Sequence, residues 1–298
     1  MLIHIGYHKT GSTWLQNEFF AKCSSLLSIF DQDQVFHNIV SPNCLDFDPE
    51  RVGSLLNELS QPLVSEGTVP VLSSERLCGS PFAGGRDSFV LAKRLHSIAP
   101  QAKILIVIRE QKRALISTYK QFVQGGGVGS CKQFFSPPRS DRFNWFDPLH
   151  FRYDRLVGRY HELFGEENVL VLPYEEFAKD NTAFCQRILT YSGMNRDWTS
   201  ENRTSSVHRS LSAFSISLLR HFNRFSLTSS YPWPSINLSP LRRFELAVLR
   251  RTDKFLPASY FEKNLTEYVS ENFNGFFTDS NINLAKMTGL NMKSYGYE

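Results

Sequence analysis

Ten residues near the start of the chain, Gly6-Tyr7-His8-Lys9-Thr10-Gly11-Ser12-Thr13-Trp14-Leu15, bring together glycine, lysine and a run of hydroxyls. They follow the apolar run Leu2 to Ile5 and open a helical pattern, so they stand between a buried strand and a helix. Anions are held at such places, because the first N–H groups of a helix are unpaired and its dipole favours negative charge. The spacing Gly6 to Gly11 fits G-x-x-x-x-G-K-[ST], and Thr13 fills the last position. Ser12, however, occupies the lysine position, and the cation lies inside the loop as Lys9. The loop therefore suits a nucleotide with one anionic group at the strand end. It is wrong for a nucleotide kinase, whose helix lysine must reach the β- and γ-phosphates while a hydroxyl holds magnesium. A plain glycine turn with a solvated Lys9 also accounts for strand, loop and helix, but leaves the hydroxyls unexplained.

The run Lys9-Thr10-Gly11-Ser12-Thr13-Trp14 resembles the 5′-phosphosulfate loop of sulfotransferases that use 3′-phosphoadenosine 5′-phosphosulfate (PAPS). The resemblance implies that Lys9 contacts the 5′-phosphate and bridging oxygen. It also implies that amides around Gly11, with the hydroxyls of Thr10, Ser12 and Thr13, cradle the phosphate, and that Trp14 lies against the adenine. Such a donor needs a second anion site. The run Ile104 to Ile108 ends in Arg109, and Ser117 follows on a helix. If Leu115 faces the core, Ser117 lies about 200° away, on the polar side with Arg113. This Arg-x7-Ser spacing resembles the family's 3′-phosphate motif, where a forked guanidinium suits a dianion better than an ammonium does. Many relatives carry Asn-Pro or Asp-Pro after the arginine. Here Glu110-Gln111 places an acid beside the expected phosphate. Val169 to Phe177 is similar to the family's strand followed by Tyr-Glu-acid-Leu, and Asn281 to Tyr297 resembles the tail of bacterial carbohydrate-type members.

The implied activity is transfer of a sulfuryl group to a hydroxyl or amine, with a saccharide or glycolipid as expected acceptor and no metal. In-line geometry and charge stabilisation carry such a reaction. The acceptor must lose a proton. Val69-Pro70-Val71-Leu72-Ser73-Ser74-Glu75 places Glu75 just past a strand end, where open α/β sheets gather their ligands. Related carbohydrate sulfotransferases use a glutamate in a comparable Ser-Glu setting, so Glu75 is the expected base. His8 is the alternative, titrating near neutrality beside Lys9. Two other readings compete: a P-loop kinase, which predicts Mg-ATP dependence, and a catalytically silent nucleotide-binding module, which has no need of Glu75.

The elements that must position these groups are legible as apolar runs. Leu2 to Ile5, Val69 to Leu72, Lys103 to Ile108 and Asn168 to Leu172 read as buried parallel strands. Helical stripes lie between them: Leu15, Phe19 and Cys23; then Leu115, Tyr119, Phe122 and Val123. A longer helix is expected over 147–164, ending at Gly165. The expected fold is α/β, a P-loop-like three-layer arrangement with a central parallel sheet flanked by helices and a helical C-terminal extension. It forms a single domain, 1–200 holding the nucleotide-binding core and 201–298 the extension. Gln124 to Ser130 reads QGGGVGS, and the stretch to Phe146 mixes Pro137 and Pro138 with five aromatics. It is either a hinged lid over the substrate or a surface loop pinned by those aromatics.

At 298 residues, 41% apolar and 21% charged, the chain is neither disordered nor a disulfide scaffold. Its net charge of +4 is unevenly placed, because Asn202 to Arg251 holds eight Arg, no Lys and one acid, Glu245. Arg242, Arg243, Arg250 and Arg251 oppose an apolar stripe that includes Leu241, Phe244 and Leu256. Such a face is solvated, or meets an anionic acceptor, or meets an anionic membrane surface as a peripheral contact. Arg203 is a further candidate for the 3′-phosphate. Nucleic acid is not an expected partner. Five scattered cysteines support neither a disulfide framework nor a zinc site. With no spanning segment and no leader pattern after Met1, we expect an unprocessed cytoplasmic protein.

Overall fold

A computed structural model describes residues 1–137, 145–194, 198, 211–228, 248–249, 251, 253 and 258–298. Five strands make one sheet: β1 (Leu2–His4), β2 (Leu26–Ser28), β3 (Val69–Ser73), β4 (Lys103–Ile108) and β5 (Val169–Pro173). Their order is β2-β3-β1-β4-β5, every pairing is parallel, and Ile3 stands opposite both Leu72 and Ile104. Parallel strands covered on both faces have no polar side, which is why the four expected runs are dominated by Val, Ile and Leu, with His4 and Pro70 as interruptions. β2 escaped that pattern because it is a three-residue edge strand in which only Leu26 is buried. β1 ends one residue earlier than expected, yet Ile5 N–H still donates to Leu105 O at 3.0 Å and Tyr7 N–H to Val107 O at 2.9 Å. The first strand thus leans on β4 as it delivers the loop.

Helices cover both faces. On one side, Leu15, Phe19 and Phe20 pack with Leu105, Val107 and Leu172. They belong to a helix, α1, that starts as Ser12–Trp14 and widens into a π turn over Leu15–Phe20. The wider turn brings both Phe19 and Phe20 inward, and leaves Cys23 beyond the helix end although still buried. On the other side lie α2 (Pro49–Ser65), α3 (Ser88–Ile98), α4 (Gln111–Gln124) and α5 (Tyr153–Phe164). The segment expected as one helix over 147–164 is divided. Pro148–Phe151 forms a 3₁₀ turn capped by Asp147, Arg152 is non-helical at φ −80 and ψ 82, and α5 begins at Tyr153. Gly165 ends α5 at φ 86, as its position predicts.

After β5 come α6 (Tyr174–Lys179), α7 (Asn181–Tyr191), α8 (Ala213–Phe222), α9 (Ala258–Asn272) and α10 (Thr278–Thr288). Ile216, Val269 and Leu284 from the last three share a core with Ile5 and Ile104. In the glycine-rich stretch, Gly126 stands at φ 108, and a Cβ there would lie 2.4 Å from Thr228. Phe134, Phe135 and Phe146 are buried, so these aromatics pin the loop to the core. Pro138 and Phe143 lie outside the described residues, as do Arg203, Leu241, Arg242, Arg243, Phe244, Glu245, Arg250 and Leu256. Of the arginine block, Arg224 and Arg251 are exposed and Arg220 is half-buried. All five cysteines are free thiols. No helix among the described residues is long and apolar enough to cross a membrane.

Candidate functional site

The loop between β1 and α1 is closed by its own groups. Thr10 Oγ1 donates to Tyr7 O at 2.5 Å, Lys9 stands at φ 68 and Gly11 at φ 85, and Trp14 and Leu15 N–H both donate to Gly11 O. Lys9 is the one non-glycine residue with positive φ among those described, a conformation that costs an L-residue about 1–2 kcal/mol. Such strain persists where the surroundings over-determine it, and it clusters at functional sites. Both loop glycines are required. A Cβ at Gly6 would lie 2.5 Å from His4 Nε2, and one at Gly11 would lie 3.3 Å from the rings of Tyr174 and Phe177. Of the hydroxyls, Thr10 closes the turn, Thr13 is exposed, and Ser12 Oγ is buried with no partner among the described residues. Trp14 is half-buried, edge-on to Phe177 at 5.0 Å.

Arg109 comes to this loop from the end of β4. Its Nη1 donates to Lys9 O and to Ser117 Oγ, each at 3.1 Å, and its guanidinium lies 4.9 Å over the ring of Tyr174. Arg109 and Ser117 are thus brought together, and both to Lys9. Tyr153 Oη fixes the strand end by donating to Arg109 O at 2.7 Å. Arg109 Nε is buried and has no partner among the described residues. The neighbouring acid, Glu110, is engaged elsewhere. It caps α4, accepting from Lys112 N–H at 2.8 Å and Arg113 N–H at 2.9 Å, where a carboxylate complements the helix dipole. Partial burial of the Lys9 ammonium lowers its pKa, and the nearby Arg109 guanidinium lowers it further, against an opposing pull from Glu75.

Glu75 opens a 3₁₀ turn, Glu75–Cys78, directly after β3. It is half-buried, and its Oε2 accepts from Gln16 Nε2 at 3.4 Å. The same Gln16 nitrogen reaches Ser73 Oγ at 3.3 Å, and Ser73 Oγ bonds His4 Nδ1 at 2.8 Å. Burial pushes the His4 imidazole down to about 4, with Glu75 opposing. His8 is half-buried, its ring 6.3 Å from Phe82. Burial lowers its pKa; Glu75 and Asp87 oppose this, while Arg76 and Lys9 add to it. The charge of Glu75 is therefore felt at both His8 and Lys9.

Residues 82–200 match the model of the Sulfotransferase family. The match spans less than half of the chain. The chain's fold is similar to that of a solved sulfotransferase from Alicyclobacillus acidocaldarius, with a TM-score of 0.55 and 17% identity over 99% of this chain and 97% of that one. No curated protein matches it. The matched stretch contains Arg109 and Ser117, while the Lys9 loop and Glu75 precede it.

Several groups in the candidate site carry no motif of their own. Gln16 sits on α1, two residues past Trp14, and its amide joins Ser73 to Glu75. Tyr174 supplies the ring beneath Arg109. His4 had a readable signal, a histidine inside an otherwise apolar strand, which is a buried polar group in need of a partner.

Proposed function

We propose that this protein transfers the sulfuryl group of PAPS to a hydroxyl or amine of a saccharide or glycolipid acceptor, with Lys9 and Glu75 as catalytic residues. What supports the donor most is Arg109, which joins the Lys9 carbonyl to Ser117 and leaves Nε unpaired beside the loop. A loop cation and a separate guanidinium suit a nucleotide with anions at both ends better than one with a single polyphosphate tail. The buried, unpartnered Ser12 Oγ fits a phosphate oxygen in the same way. Lys9, Thr10, Gly11, Ser12 and Thr13 would hold the 5′ end, Arg109 and Ser117 the 3′-phosphate, and Trp14 the adenine.

PAPS supplies a sulfuryl group on a good leaving group. In the transfer, the bond from sulfur to the bridging oxygen breaks and a bond from sulfur to the acceptor oxygen or nitrogen forms. Lys9 meets the charge that grows on the bridging oxygen, and the strained loop holds it there without reorganisation. Glu75 takes the acceptor proton, and Gln16 orients its carboxylate by holding Oε2. His8, lowered by burial and flanked by Lys9 and Arg76, is better placed to hydrogen-bond as a neutral ring. The chain acts as one catalytic domain, and its free thiols suit the cytoplasm.

Thermal shift tests the donor. Adenosine 3′,5′-bisphosphate should raise Tm without added metal, and stabilisation by Mg-ATP alone would refute the proposal in favour of a kinase. Full donor binding without any PAPS turnover across an acceptor screen would favour a silent binding module.

A further inference from the structure

A concave region adjoins the Lys9 loop on its Tyr7 side. It is a cleft of about 950 Å³ between the Gly84–Arg86 loop, α3, α5 and α10, and Tyr7 is its one residue from the donor loop. Arg86, Arg155 and Lys286 reach it from three different elements, all exposed, and none has an ion-pair partner among the described residues. The carboxylates of the lining are already engaged. Asp147 accepts from Leu149 N–H at 2.9 Å, Asp154 accepts from Ser280 and Asn283, and Glu162 pairs with Arg159 at 2.6 Å. The unpaired cations are spread along the cleft, which matches several separated negative charges better than one compact anion. Between them Phe89 is 41% exposed, its ring already met by Lys93 at 4.5 Å and Arg159 at 5.2 Å.

The floor asks for a different chemistry. His150 lines it, is 7% exposed, and has Nε2 buried with no partner among the described residues. Burial holds its imidazole down at about 3, so near neutral pH the ring is uncharged, with one nitrogen to donate and one to accept. A neutral ring of that kind pairs with a hydroxyl. The engaged carboxylates also keep lone pairs that accept from hydroxyls, but they repel closely spaced phosphates.

We propose that this cleft binds an acidic oligosaccharide, its spaced carboxylates or sulfates meeting Arg86, Arg155 and Lys286 and a hydroxyl meeting His150. The cations alone would also admit nucleic acid or an acidic peptide. The buried imidazole and the carboxylate-lined wall favour the polyhydroxylated ligand. This site stands on the cleft's own groups and is independent of whether PAPS is the donor.

Isothermal titration of the full chain with an unsulfated chondroitin hexasaccharide, one carboxylate on every second ring, tests it. Neutral maltohexaose, an octameric oligothymidylate and a glutamate decapeptide serve as comparisons. We expect the hexasaccharide to bind, maltohexaose not to, and Arg86→Ser/Arg155→Ser to weaken binding at least tenfold while leaving affinity for adenosine 3′,5′-bisphosphate and Tm unchanged. His150→Gln, which keeps a neutral donor and acceptor, should bind as the parent does, and His150→Leu more weakly. Absence of hexasaccharide binding overturns the proposal, as does equal binding by the double variant. Displacement of the sugar by the bisphosphate would assign it to the donor loop instead, and tighter binding of the oligonucleotide or peptide would assign the cleft to that class. The bisphosphate titration reports separately on the donor site, so failure of one reading is distinguishable from failure of the other.

Discussion

Replacing Arg109 by Ala removes two things that differ in size. The guanidinium holds the Lys9 carbonyl and Ser117 through Nη1, and leaves Nε unpaired for a ligand. A hydrogen bond to a charged group contributes about 1.5–3 kcal/mol, so two to a 3′-phosphate give roughly 3–6 kcal/mol. Arg109 is half-buried, and solvent screening brings the expectation to the lower end, about 3 kcal/mol. By itself that corresponds to roughly a 100-fold rise in Kd for adenosine 3′,5′-bisphosphate. AMP lacks the 3′-phosphate and feels only the loosened loop carbonyl, a neutral acceptor contributing about 1 kcal/mol, or roughly fivefold. Isothermal titration of both nucleotides against parent and variant therefore reads a ratio. The loosened loop weakens both nucleotides alike, so discrimination between them should fall by the phosphate contribution alone, about 100-fold. An equal loss for both nucleotides would show that Arg109 acts only by holding the loop, and no loss for either would remove it from the site.

Other expectations follow from the same geometry. Lys9→Gly should lower PAPS turnover by about 10²–10³-fold, as removal of a group that stabilises transition-state charge does, while Tm holds or rises because glycine relieves the left-handed backbone. A fall in Tm would show that the lysine side chain stabilises the loop. Gln16→Leu should reduce kcat for PAPS hydrolysis, with water as acceptor, by about tenfold, the low end of a charge-assisted bond, at unchanged donor KM. Glu75→Gln should lower kcat further and spare donor binding, and undiminished turnover would exclude it as the base. His4 has a folded pKa of about 4 against an ordinary value of 6.5. The unfolded chain takes up that proton first, so stability is fully present above about pH 6.5 and is lost as pH falls toward 4. The drop from this group is about 3 kcal/mol, and His4→Gln should flatten Tm between pH 6.5 and 4.5.

The parallel core was legible because covered strands leave a run of one kind, and Lys103–Ile108 was readable to the residue. β2 was not, since a three-residue edge strand carries no such run and is held by β3 through its backbone. The break at Arg152 was equally silent: a continuous apolar period hid the 3₁₀ turn that Pro148 and Asp147 begin. At the candidate site, the meeting of Lys9, Arg109 and Ser117 was legible because the expected anion contacts restrict residue type and spacing together. Glu110 looked misplaced beside a phosphate until its role as the cap of α4 became visible, which depends on backbone direction. Gln16, Tyr174 and Ser73 meet the others only through folding, so no local spacing announces them.

The central position of β1 has a consequence for how the protein is made. Its two neighbours are β3 and β4, and β4, which carries Arg109, emerges about 100 residues later. At synthesis rates of about 5–20 residues per second, that is an interval of about 5–20 s. β3 is complete part-way through that interval, but throughout it the Lys9 loop lacks β4 and the Arg109 that holds its carbonyl. Chains arrested before residue 109 should therefore carry the loop motif without donor affinity, and nucleotide binding should switch on only after translation has passed the fourth strand.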